Sequence, residues 1–299
     1  MADIVERLER KIRRHVIGAM PKEATFLEDL DLGQLLIEYR IWRAQFIRPQ
    51  KRRPVFESKE LRESDKRREN LTIIERLTAK LEAGESINAF LSSSVQRIPR
   101  PRKGKVAPRD QLLAEWGIHH LHLSDQIAGD GFVKRTEDVL FAIFKDDAAY
   151  LIGIYGHPGT DNWAREEILA TLVRNWPDRG LVAELKGVIW LSQQYDDDDR
   201  AKLRKAGLSG PVEVDGKVYS PQASLGQTTA GTPIEATMGI QRLMWALREW
   251  ERDFSGKLRS VGANPYSYWL PKIETPVPGF EEHAGFSHAG DFVGVGRVI

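Results

Sequence analysis

The chain has 299 residues, 41% of them apolar and 29% charged, with a formal net charge of +1 and no cysteine. That length suits one large domain or two ordinary ones with a packed core. The balanced charge excludes a globally basic nucleic-acid binder, and the missing cysteines exclude disulfides and thiolate metal sites.

The N-terminal third has the spacing of helices. Ile4, Leu8, Ile12 and Val16 recur every four residues, which predicts a helix over 4–17. Leu32, Leu35, Leu36, Tyr39 and Trp42 form the stripe of a second, over 29–46, which stops before Pro49. A third is predicted over 58–83, with Leu71, Ile74, Leu77 and Leu81 buried and Gly84 as its cap. Residues 99–108 hold three prolines, one glycine and four basic residues, the composition of a linker or exposed arm.

Beyond this arm the pattern changes to short apolar runs. Strands are predicted over 118–123, 139–144 and 150–155, the last two joined by only four residues as an antiparallel hairpin. A helix follows over 162–176, with Asn162 as N-cap and Pro177 after its end. Asp196 to Asp199 open a short helix, over 198–206, that ends in bases; this charge order complements the helix dipole. Asp215-Gly216 between alternating residues marks a second hairpin. A long helix over 233–254 precedes a Gly-, Pro- and aromatic-rich tail.

The expected fold class is therefore α+β. It has a helical N-terminal region, a small central antiparallel sheet with packed helices, a C-terminal hairpin, a long helix and an irregular tail. The expected division is a helical region over 1–95, a basic linker over 96–110, an α+β core over 111–222, and the long helix and tail over 223–299. No apolar run approaches the ~18 residues of a membrane span. The first twenty residues carry charge throughout and lack a signal-peptide block, so a cytoplasmic location without membrane contact is expected.

Three of the seven histidines fall at His119, His120 and His122. In a strand, His119 shares a face with Leu121 and Leu123, which seek the core, while His120 and His122 project together from the other face. With its turn at Asp146-Asp147, the hairpin would oppose Phe141 to Ile152, Asp138 to Tyr155 and Thr136 to His157. One face would then hold Val139, Phe141, Ile143, Tyr150, Ile152 and Ile154. The other would hold Leu140, Ala142, Phe144, Ala149 and Leu151, and turn polar at Asp138, Tyr155, Thr136 and His157, with Arg135 alongside. Both faces are apolar in the middle, so both should be covered. If the histidine strand pairs beside this hairpin, His120 and His122 approach Tyr155 and His157.

Such a group has the parts for metal-independent RNA cleavage. Attack by a ribose 2′-hydroxyl needs a base, an acid for the leaving oxygen and a cation for the phosphorane charge. His122 or His120 suits the base and His157 the acid, with Arg135 and Tyr155 as phosphate contacts. The succession of a strand with HHLHL, the hairpin DVLFAIF to AYLIGIY, a closing His157 and a helix resembles the small RelE-type and barnase/EndoU-like ribonuclease toxins, over about residues 111–180. The resemblance implies a short antiparallel sheet backed by helices, with His120, His122, Arg135, Tyr155 and His157 at strand ends as site residues and a toxin or defence role.

RNA is the partner this reading expects, with Arg97, Arg100, Arg102, Lys103, Lys105 and Arg109 as its contacts and no cofactor; a protein partner or inhibitor is the other class it admits. Two alternatives stand beside it. One is a non-catalytic nucleic-acid or protein binding module that uses the basic stretches. The other is a metal-dependent hydrolase with His120 and His122 as ligands, whose third ligand would have to be His157 or Asp138. No phosphate-binding glycine loop, nucleophile elbow or HExxH is present, so nucleotide-dependent and serine-hydrolase mechanisms have no support.

Overall fold

The computed structural model describes residues 2–21, 25–48, 51–98, 110–157, 163–188, 191, 195–206, 208, 210–221, 228 and 231–260. The chain forms two compact units, Met1–Tyr39 with Thr237–Ile299, and Arg40–Ala236. In the first, helix α1 (Ala2–Ala19) carries Ile12 and Val16 on its buried side, as their spacing predicts. Helix α2 (Leu32–Ala44) starts where the Asp31 carboxylate accepts from Gln34 N (2.8 Å), and buries Leu32, Leu35 and Leu36.

The first strand of the second unit is an element the periodicity does not reveal. Strand β1 (Val55–Glu57) is three residues long and follows a basic run, too short for any alternation to register. The helix predicted over 58–83 is three helices: α3 (Lys59–Glu63), α4 (Asp65–Glu69) and α5 (Leu71–Ala83). Ser64 divides the first two and Asn70 the last two. Ser58 Oγ accepts from Leu61 N and Ser64 Oγ from Arg67 N, so each hydroxyl caps a new helix start.

Helix α6 (Gln111–Trp116) leads through Gly117, at φ 69°, into β2 (His119–His122). Strands β3 (Asp138–Phe144) and β4 (Ala149–Gly156) form the expected hairpin. Helix α7 (Glu166–Asn175) starts later than predicted. Asn162 lies outside the described residues and Arg165 holds the cap position. The carboxylate of Asp197 accepts from Glu166 N (3.1 Å) in its place.

Strand β5 (Val182–Glu184), another three-residue element, precedes helix α8 (Asp197–Lys205), which Asp196 caps through Asp199 N. The second hairpin joins β6 (Val212–Val214) to β7 (Lys217–Pro221). Its turn puts Asp215 at φ 50° and Gly216 at φ 76°, the left-handed pair for which Asp-Gly is suited. Helix α9 (Ile234–Ser260) runs on past the predicted end. Among the described residues no helix is long and apolar enough to cross a membrane.

The main sheet has the order β1-β4-β3-β2, with β1 parallel to β4 and the other pairs antiparallel. Both its faces are covered. Val139, Phe141, Ile143, Tyr150 and Ile152 pack with residues of α6, α7 and the small sheet β5-β7-β6. Leu140, Ala142, Ala149 and Leu151 pack with Leu61 and with Ile74, Leu77 and Leu81 of α5. The fold class is α+β, with one parallel edge added to the expected antiparallel sheet.

One irregularity sets the site. The hairpin pairs as predicted from Phe144↔Ala149 to Ala142↔Leu151, but Phe141 then pairs with Gly153, Leu140 with Ile154 and Asp138 with Gly156. Ile152 is the extra residue of a β-bulge. The predicted pairs Phe141–Ile152 and Asp138–Tyr155 are therefore displaced by one, and all side chains beyond the bulge change face. Ile154 joins Leu140 and Leu151, while Tyr155 joins Val139 and Phe141. Asp138 also leaves the expected group and pairs with Lys66 (2.6 Å).

Fully buried Ser58 holds the bulge. Its Oγ donates to Ile152 O (2.6 Å) while it caps α3, and its backbone N donates to Leu151 O (3.0 Å). Replacing Ser58 by Ala orphans a buried carbonyl and removes a helix cap. The expected loss is about 1–3 kcal/mol of unfolding free energy, read by urea denaturation; a change within error would assign the bulge to the strand alone.

Candidate functional site

The site is built on the face of β2 and β3 turned towards α6. Pairing His120↔Phe141 and His122↔Val139 puts both histidines on the Phe141 face, and Leu121↔Leu140 sends the leucine to the other. His119 goes with the leucine. Its ring meets Phe144 edge-on at 5.4 Å, and its Nε2 lies 3.1 Å from Ala44 O. Burial pushes the His119 pKa down to about 4. It is part of the packing on the far side of the sheet from the other histidines.

His120 is held by the residue that starts α6. The Asp110 carboxylate accepts from Leu113 N through Oδ1 (3.0 Å), and Oδ2 lies 3.1 Å from His120 Nδ1. That contact is within ion-pair range but off the axis of the ring N–H, so it is electrostatic more than directional. Burial alone would raise the Asp110 pKa. The charge of His120, its contact and the Leu113 amide outweigh it, and the net shift is downward.

His122 is fully buried. Thr136 N donates to its Nδ1 (3.2 Å), and among the described residues no partner meets its Nε2. Thr136 ties the surrounding strands together: its hydroxyl donates to Asp138 O (2.5 Å) and accepts from Leu123 N (3.1 Å). Burial, followed by the charges of His120, Arg135 and His157, brings the His122 pKa down to about 4.

His157 extends the hairpin by one step, its N donating to Glu137 O (2.7 Å). Its ring lies 11° from parallel to that of His122, at 5.9 Å between centroids, and the His120 ring stands 6.2 Å from His122. Arg135, on the exposed side, donates through a terminal guanidinium nitrogen to His157 Nε2 (2.8 Å). Tyr155 shares the face, but its ring lies on Phe141 at 4.5 Å and folds back over Gly153. A Cβ on Gly153 would come within 2.9 Å of that ring. Tyr155 is thus a wall of the site.

Four participants escape sequence reasoning. Trp163 bonds Gly156 O through its indole N–H (2.7 Å), and its ring stands 4.9 Å from His120 and 5.9 Å from His157. Its backbone carbonyl accepts from Arg204 (2.6 Å). Arg204 also pairs with Glu115 and lies 4.3 Å over the Trp116 ring, with both charged side chains buried. Asp110 is the fourth. By sequence Arg204 is merely a base at the end of an acid-to-base helix. Nothing local tells that it reaches α6 and Trp163.

The basic stretches divide. Arg97 is exposed, while Arg100, Arg102, Lys103, Lys105 and Arg109 lie outside the described residues. In the basic run before β1, which holds Arg48, Lys51, Arg52 and Arg53, Arg53 is buried on the carbonyls of Lys145 (2.8 Å) and Arg48 (2.9 Å). Among the described residues no group of three or more His, Asp and Glu comes together to hold a metal ion. His157 and Asp138 do not complete a ligand set with His120 and His122. Comparison with protein-family models, curated proteins and solved structures gives no match to this chain.

The folded state protonates His122 less readily than the unfolded chain, where its pKa is near 6.5. Its contribution to stability is therefore complete above about pH 6.5 and falls away as the pH drops towards 4. His122→Asn keeps an acceptor near Thr136 N but cannot titrate. It should flatten the acid loss across this window by about 2–3 kcal/mol, measured by denaturation at each pH. An unchanged pH profile would assign the acid loss to other groups.

Proposed function

We propose that the protein is a metal-independent, endoribonuclease-like enzyme acting on RNA phosphodiesters, in keeping with a toxin or defence role. The observation that carries this reading is the set of three imidazoles on one sheet face, in ring-to-ring steps of 6.2 and 5.9 Å, with a carboxylate at one end and a guanidinium at the other.

The two outer histidines have complementary surroundings. Asp110 faces His120 Nδ1 and favours a proton there, which leaves Nε2 as the basic nitrogen. His120 then takes the proton of the ribose 2′-hydroxyl. The 2′-oxygen bonds to phosphorus, and the bond to the 5′-oxygen breaks. That oxygen leaves with a proton from His157, giving a 2′,3′-cyclic phosphate and a 5′-hydroxyl. Arg135 meets the phosphate charge with planar donors. Of the two candidate bases, buried His122, with a pKa of about 4, is the poorer acceptor at neutral pH. Trp163, 4.9 Å from His120, offers an aromatic surface beside the reacting atoms.

Purified protein in excess chelator should cleave single-stranded RNA, leave the cyclic phosphate and spare DNA of the same sequence. His120→Ala and His157→Ala should each slow cleavage about a hundredfold or more, measured on a labelled oligonucleotide. No cleavage by the wild type, or variants that match it, would end the reading.

A further inference from the structure

The central histidine has a definite tautomer. A backbone amide can only donate, so Thr136 N, 3.2 Å from His122 Nδ1, requires a lone pair on that nitrogen. The hydroxyl of Thr136, 3.4 Å from the same nitrogen, is the longer contact and spends its hydrogen on Asp138 O. The ring is therefore neutral and its proton sits on Nε2. That N–H is buried and meets no acceptor among the described residues. A buried donor without a partner is costly, and native structures seldom keep one without a reason.

Among the described residues, no negative charge acts on His122. The groups that act on His122 through charge are His120, Arg135 and His157, each cationic when protonated. Asp110 is engaged with His120 and Asp138 with Lys66. Arg135 is exposed and donates to the neutral Nε2 of His157. A guanidinium resting on an imidazole nitrogen gains more from an oxyanion.

We propose that His122 Nε2–H and Arg135 are the two donors of an oxyanion seat that takes a non-bridging phosphoryl oxygen. His122 then serves as a fixed donor to developing charge, and not as the base. In the resting molecule the seat is closed, since His122 is sealed from solvent. Phosphate entry turns Arg135 away from His157 and towards the anion. The same turn frees the lone pair of His157 Nε2 to take up a proton from solvent, which it then passes to the leaving oxygen. A donor already fixed by the Thr136 amide requires no reorganisation as charge develops, which is where such donors act most strongly. The inference rests on the phosphodiester reading for the source of the anion, while the donors themselves follow from the geometry.

Imidazole nitrogen NMR on the full-length, 15N-labelled protein tests it, with inorganic phosphate as the probe and chloride at matched ionic strength as the control. In the free protein His122 should show a bare Nδ1 and a protonated Nε2. Phosphate should shift His122 Nε2 and His157 saturably, and chloride should not. Arg135→Gln, an exposed change that leaves the core intact, should weaken the phosphate response at least about tenfold, and His122→Asn should abolish it. A proton on Nδ1 of His122, or no phosphate response at these two rings, overturns the seat. If phosphate binds as described and RNA is not cleaved, the seat stands and the ribonuclease reading falls. If RNA is cleaved and Arg135→Gln is indistinguishable from wild type in both assays, the seat falls alone.

Discussion

The hydrogen bond from Ser58 to the carbonyl of Ile152 is the constraint on which the site depends. Ile152 is the extra residue that shifts β4 by one position against β3. Strand side chains alternate with period two, so a single extra residue exchanges the two faces for everything that follows. Without it, Tyr155 would lie with Leu140 and Leu151, away from His120 and His122. With it, Tyr155 and His157 join the histidine face. Gly153 completes the arrangement, because the space a side chain would fill is taken by the Tyr155 ring.

Around this face the protein has arranged charge in two layers. The outer layer is Arg135 on His157, exposed and able to turn. The inner layer is Arg204, which pairs with Glu115, holds the Trp163 carbonyl and covers the Trp116 ring. A buried ion pair of this kind adds little net stability, because desolvation offsets most of the attraction. Its effect here is positional. It ties α8 to α6, which carries Asp110 at its start, and to the tryptophan beside His120 and His157.

Much of the fold was legible in the sequence because it rests on local rules. The apolar runs of β3 and β4 with a four-residue link, the left-handed Asp215-Gly216 turn and the aspartate-capped α8 all follow from residues within a few positions of one another. So does the separation of His119 from His120 and His122. The strands β1 and β5 were not legible, since three residues carry too little pattern. The division of 58–83 into three helices turns on Ser64 and Asn70, residue types that can end or cap a helix or sit within one. The partners of His120, Asp110 and Trp163, lie ten and forty-three positions away, and no local pattern links them to it.

The sequence by itself determined the class of fold, the covered sheet and the residue types gathered for chemistry, because hydrophobic period and turn chemistry act over short distances. It also determined that His120 and His122 share a face. Which other residues share that face was decided by tertiary structure alone. The register beyond Ile152 depends on a hydroxyl ninety-four positions earlier in the chain. The proton on His122 depends on an amide that reaches it only after the strands have paired. A bulge and a tautomer are properties of contacts between distant segments, and no composition or spacing specifies them.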